Sequence, residues 1–231
     1  MMRNVTEHRV ADFHSLHNIL VMFTQPMGWL FRGHSNASWM LLPKVGRSPY
    51  IEVDDRQVFE SWKLRAIEYI AIQPTSDWDW LAIAQHHGLA TRLLDWTSNP
   101  LAAAYFAVRE QHASDAVLYA CWFSDKVNPA ECHPMDYPKV AVFRPYGVVP
   151  RITRQGGQFS IHNNPTVALE TDLASSIDLH RIVIDSSYRN TLLAELSYYG
   201  INSATMFPDL DGLSAYVNWT IETRAFFKFR K

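Results

Sequence analysis

The stretch HHGLATRLLDWTSNPLAAAYFAV, residues 86–108, decides the fold. It opens on a break at His87-Gly88. It then runs through a polar cluster of Thr91, Arg92, Asp95, Trp96, Thr97, Ser98 and Asn99, and closes in an apolar helix. Ser98 or Asn99 offers a side-chain oxygen to the free N–H groups of the first turn. Pro100 fits that turn because its missing N–H has no helical partner there. From Leu101 to Val108 the residues are small and apolar on nearly every side, which is the pattern of a buried helix. Arg92 and Asp95 beside such a helix are costly to leave unpaired. Two readings stand side by side: they pair with each other, three residues apart on one turn, or they wall a ligand site.

Upstream, Val10, Phe13, Leu16, Leu20 and Phe23 recur at helical spacing, so residues 10–23 are expected to form an amphipathic helix. Trp29-Leu-Phe-Arg32-Gly33 reads as a short strand with an arginine near its end, followed by loop to Pro49. Residues 52–72 read as a long helix stopped by Pro74, and Asp77 as the cap of a second one, residues 78–87. Downstream, Ala116–Phe123 is a buried strand. Residues 124–139 are an excursion, and residues 139–143, 158–161 and 178–184 are further strands. Residues 186–199 read as a helix with Gly200 at its C-cap. A turn at 205–212 and a last helix at 213–229 complete the chain. Helices lead and strands dominate the second half, which gives an α+β fold: a mostly antiparallel central sheet flanked by helices.

With 231 residues, 48% of them hydrophobic and 19% charged, the chain can bury a sizeable core, and no linker divides it, so one domain over 1–231 is expected. A net charge of −2 argues against a dedicated non-specific nucleic-acid binder. Two cysteines, Cys121 and Cys132, make neither a disulfide framework nor a metal site alone, and Met1 leads into polar residues with no signal-peptide pattern. A cytoplasmic protein with no membrane partner is the expectation. The ten histidines show no metal-ligand spacing, so no metal is expected.

Four segments carry candidate chemistry. Arg32 offers a rigid five-donor fork suited to phosphate or to a carboxylate such as Asp95. Residues 91–97 supply Arg92, Asp95 and Thr97, with the helix N-terminus as an anion seat or simply a cap. Arg151, Arg154, Gln155 and Gln158 surround two glycines, read either as a close approach to ligand or as a bulge. In Phe207-Pro-Asp209-Leu-Asp211-Gly212 the carboxylates either bind a cation or cap the last helix.

Taken together, Phe31-Arg32-Gly33-His34, Gln85–Thr97 with Asn99-Pro100, Arg151–Phe159 and Phe207–Gly212 resemble the FRG domain family over residues 28–215. The layout is also similar to an ADP-ribosyltransferase-type NAD-binding fold. That resemblance implies NAD as substrate. Arg32 would clamp a phosphate, with His34 or Arg92 assisting and Asp95 orienting. Thr97, Gln155 and Gln158 would lie along the ligand, and Phe159 or Tyr105 would stack on the nicotinamide. The resemblance expects a late glutamate where this chain has Gln155 and Gln158, and a glutamine cannot act as a base. Asp95, Asp209 or Asp211 could supply the carboxylate. Otherwise the protein binds a nucleotide without turning it over, or takes nucleic acid along Arg144, Arg151 and Arg154. A structural alternative is an ion-pair network of Arg32, Arg92, Asp95 and Asp211.

Overall fold

The structure, a computed structural model, describes residues 5–71, 73–145, 157–171, 173–174 and 176–223. A single mixed sheet runs through it. Its strands are β1 (Thr6–Val10), β2 (Leu30–His34), β3 (Leu93–Thr97), β4 (Ala116–Phe123), β5 (Ala141–Phe143), β6 (Gly157–Ile161) and β7 (Ile177–Ile184), in the order β1-β7-β4-β2-β3-β6-β5. Every pairing is antiparallel except β1 on β7. The described helices are α1 (Phe13–Val21), α2 (Asp55–Ala66), α3 (Asp77–His86), α4 (Pro100–Val108), α5 (Arg189–Tyr198), α6 (Ser203–Met206) and α7 (Leu210–Glu222). The α+β sheet-and-helix architecture expected from the sequence is the one observed.

β4 shows why both faces of the sheet are covered. Ala116, Leu118 and Ala120 pack under α4 and α5, whereas Val117, Tyr119, Cys121 and Phe123 pack with Leu94, Trp96, Leu41 and Leu169 on the opposite face. α2 and α3 cover the β5–β6 end through Phe59, Trp78, Leu81 and Phe159. α4 is buried along its length, as its composition demands. Asn99 caps it by accepting from Leu101 N (2.9 Å) and Ala102 N (3.3 Å).

Gly33 is what lets α4 lie against β2. A Cβ there would stand 2.1 Å from the Ala103 carbonyl oxygen and 2.6 Å from Ala107 N. Gly88 (φ +88°) ends α3 in a Schellman motif, with Leu89 N donating to Ala84 O and Gly88 N to Gln85 O. Gly200 does the same for α5 through Ile201 N to Leu196 O.

Several boundaries differ from the sequence expectation. Val10 belongs to an edge strand and not to the first helix, which Asp12 caps. Ser76, not Asp77, caps α3. The 207–212 turn is a cap: Asp209 accepts from Gly212 N (2.8 Å) and α7 begins at Leu210. The largest difference is β3. The polar lead-in of residues 93–97 is a central strand, so Leu94 and Trp96 face one side while Asp95 and Thr97 face the other.

Candidate functional site

β2 and β3 are neighbours in the sheet but register at one pair, Phe31 with Thr97. The next link between them is a side chain. Phe31 and Gly33 turn toward α4, and Arg32 between them reaches across to β3. Its Nη1 donates to the Asp95 carbonyl at 2.7 Å and lies 3.5 Å from the Asp95 carboxylate, and its Nε donates to His34 Nε2 at 3.0 Å. A cavity of about 480 Å³ opens at this gap. β2, β3, β6, the end of α3 and one side of α4 wall it, together with Trp39 and Arg47 from the loop after β2.

The network around Arg32 is built to hold a cation without neutralising it. His34 is buried, and its pKa is pushed down to about 3, first by burial and then by the adjacent Arg32 charge. It therefore stays neutral and accepts from Arg32. Its Nδ1 lies 3.3 Å from the Trp39 carbonyl, which assigns the proton to that nitrogen. The carboxylate of Asp95 is half-exposed (54%) and already accepts from Gln85 Nε2 at 2.8 Å. Gln85 Oε1 in turn accepts from Thr91 Oγ1 at 2.5 Å. Two neutral acceptors and one loose, solvent-screened carboxylate thus hold a guanidinium whose Nη2 has no partner among the described residues. Arg47 stands in the same cavity, its pKa lowered by burial and by Arg32, and bonded to the Leu42 carbonyl rather than to a carboxylate. Arg109 and Glu110 line the α4 side. Three arginines face two carboxylates, so the lining favours an anion.

Behind this layer, Arg189 is 3% exposed and donates to the carbonyls of Ser35 (2.8 Å), Ser114 (3.2 Å) and Glu110 (2.7 Å). It fixes the C-terminal end of α4 against the loop after β2. On the far side of the sheet Trp96 Nε1 donates to Ser160 Oγ (2.9 Å), which lies 3.0 Å from His162 Nε2. His162 is held neutral by burial and then by Arg32, its pKa pushed down to about 3.

Of the residues singled out in the sequence, Arg32, His34, Asp95, Thr97, Gln158 and Phe159 line this cavity together. Phe159 is 3% exposed and stacks on Phe143 (5.6 Å, 30°), so one ring face is already occupied. Tyr105 faces a different cavity, among α5, α6 and α7. Arg92 is not at the site. Its Nε and Nη2 grip Asp55 at 2.7 and 2.6 Å, joining α2 to the start of β3. That corrects the expected Arg92–Asp95 pair, because on a strand the two are not on one turn. It also dissolves the four-membered ion-pair network, since Asp211 lies on α7 beside the other cavity. Gln155, Arg151 and Arg154 lie outside the described residues, and Arg144 is exposed away from this cavity. Arg47, Arg109 and Glu110 have no role in the sequence reading; Trp39 reads there as an anchor of the loop after β2, and Gln85 as the first residue of the family-like segment before the His-His-Gly break.

Glu60, Asp77 and His133 bring ligand-type atoms within 4.8 Å of one another, a cluster that spacing alone did not reveal. The ammonium of Lys63 already sits in it, 2.9 Å from Glu60 and 2.7 Å from Asp77. His133 Nδ1 accepts from Met135 N (3.2 Å), so Nε2 carries the proton and points it at Glu60 (3.3 Å) rather than offering a lone pair. The chemistry is that of an ion-pair cluster tying α2 to α3. No described helix is long and apolar enough to cross a membrane.

The β2, β3, α3 and α4 walls of the strand-gap cavity fall within one continuous segment, whereas its β6 wall does not. Residues 27–116 match the family model described as the FRG domain. The match covers β2, α2, α3, β3 and α4 and ends at the first residue of β4, short of Gln158 and of α7. No curated protein and no solved structure gives a significant match.

Proposed function

We propose that the strand-gap cavity binds a nucleotide, with NAD as the ligand that its polarity suits best. The observation that supports this most is the state of Arg32. It is a largely buried guanidinium (19% exposed), oriented by a neutral histidine and a backbone carbonyl, with one arm free toward a cavity that holds two further arginines. A diphosphate accepts from such a fork through two oxygens. Asp95, positioned by Gln85, is the carboxylate nearest that fork, and Trp39 and Phe106 are the more exposed of the rings at the cavity wall.

If the site turns NAD over, the simplest reaction is hydrolysis. Water adds at the ribose carbon, the C–N bond breaks, nicotinamide leaves with the bond pair, and the proton from water goes to a carboxylate, Asp95 or Glu110. Transfer to a protein or nucleic-acid acceptor replaces the water by the acceptor's nucleophile. A second reading, a module that binds without turnover, draws on Gln158, a cavity-lining amide in the late segment where the resemblance expects a carboxylate.

The test is calorimetric titration with NAD, together with an assay of nicotinamide release with and without candidate acceptors. Arg32→Ala is expected to weaken NAD binding roughly 10- to 150-fold, the worth of hydrogen bonds from a charged group. Binding that is identical in Arg32→Ala would sink the nucleotide reading. Binding without release under any condition selects the second reading.

A further inference from the structure

On the other side of α4, a second cavity of about 490 Å³ opens among α5, α6 and α7. Its character differs from that of the first. Four aromatic residues stand in its walls: Tyr105, Phe207, and Tyr216 stacked with Trp219 at 6.3 Å and 19°. Asp211 stands at its rim, exposed and without a hydrogen-bond or ion-pair partner among the described residues. The neighbouring Asp209 is committed to capping α7. Gly212 is held under Phe207, where a Cβ would lie 2.0 Å from the Phe207 carbonyl oxygen, so the first turn of α7 and the Phe207 ring are fixed relative to each other. Arg109 lies 4.9 Å from the Phe207 ring centre and lines both cavities. It partitions them.

We propose that this second cavity is a binding site for a planar heteroaromatic ring that bears N–H donors, the nucleobase class. A flat ring finds stacking surface on Tyr216, Trp219 and Phe207, and an amino group on its edge finds an acceptor in Asp211. The cavity volume lies within the range of small-molecule sites and exceeds what one base fills, leaving room for the attached sugar. The site needs no phosphate, because Arg109, its only cation among the described residues, is already seated on a ring. It stands whether or not the strand-gap cavity holds NAD.

The experiment uses the full chain and uncharged nucleosides, adenosine and cytidine, in saturation-transfer NMR and calorimetric titration. Saturable binding is expected. Tyr216→Ala should weaken it about 5- to 150-fold, the range for loss of one base–aromatic stack. Asp211→Asn should weaken it several-fold, and Arg32→Ala should leave it unchanged. The proposal is overturned if neither nucleoside binds, or if binding disappears in Arg32→Ala and survives Tyr216→Ala, which would move the ligand to the strand gap. Should Tyr216→Ala fail to fold, Asp211→Asn at its exposed position decides alone, and an unchanged affinity there overturns the proposal.

Discussion

Gly33→Ala separates two reasons for a glycine in Phe31-Arg32-Gly33. The added methyl would meet the Ala103 carbonyl oxygen at 2.1 Å, Ala107 N at 2.6 Å and the Ala107 methyl at 3.0 Å. The two shortest contacts are backbone of α4, so no side chain can swing away. Ordinary contact begins near 3.4 Å, so the helix must retreat by more than an ångström from a sheet it is packed on. Overpacking of this kind costs about 1–3 kcal/mol, and a rigid, buried obstacle puts this site at the upper end. For a chain of this length each kcal/mol moves the melting temperature by about 2–4 °C, so a fall of about 6–12 °C is expected. Scanning calorimetry and urea unfolding at pH 7 measure it. If Gly33→Ala melts within about 1 °C of the parent, the close approach of α4 is not why glycine is there. If stability holds while NAD affinity falls, the glycine serves the ligand instead.

Other perturbations follow from the same structure. His34 and His162 are both held neutral with pKa values of about 3 against an ordinary 6.5, so the unfolded chain takes up protons that the folded chain refuses. Their contribution to stability is complete above pH 6.5 and is lost as pH falls toward 3. At about 1.4 kcal/mol per pH unit per group, unfolding free energy should drop by about 2 kcal/mol for each histidine between pH 6.5 and 5, and a flat urea-unfolding profile over that interval contradicts it. Arg92→Ala and Asp55→Ala each leave a charge that is nearly nine-tenths buried without its bidentate partner. Each should cost about 3–5 kcal/mol, and a double-mutant cycle should show most of that loss as coupling; additive losses would contradict the pair. Asn99→Ala removes the cap of α4 and should cost about 1 kcal/mol by thermal unfolding, with no cost at all arguing that Ser98 takes its place. Zinc at saturating concentration should leave the melting temperature unchanged, because Lys63 and the His133 proton occupy the Glu60–Asp77 cluster; a rise that Asp77→Asn abolishes would show a metal site there.

The parts of the fold that the sequence made legible are those whose burial is uniform. α4 and β4 read correctly because small apolar residues run without interruption and Asn99-Pro100 marks the helix start. β1 was hidden because only Val10 of Thr6–Val10 is buried, and an edge strand needs no alternating pattern. β3 was hidden because Asp95 and Thr97 face a cavity, so a central strand carries polar residues on one side and reads as a loop. Arg32 could be named from its setting, and Asp95 with it as the carboxylate it reaches, but the partner of Arg92 could not. Sequence proximity suggested Arg92 with Asp95, whereas the long-range contact with Asp55 depends on where α2 lands. Arg47, Arg109 and Arg189 gave no local sign, since what distinguishes them is set by the fold: Arg47 and Arg109 meet in one cavity, and Arg189 reaches the end of α4 from α5.

The single pair between β2 and β3 also makes the sheet two panels joined along a seam. One panel is β1-β7-β4-β2 and the other β3-β6-β5, with full ladders inside each. Across the seam the Phe31–Thr97 pair, the Arg32 side chain and α4 do the joining. Amide exchange along such a line should be faster than within either panel. The strand-gap cavity lies on that seam, so an anion held by Arg32 and the β3 edge together would act as a cross-brace. The protein would then report an occupied cavity mechanically, as slower exchange on both panels at once.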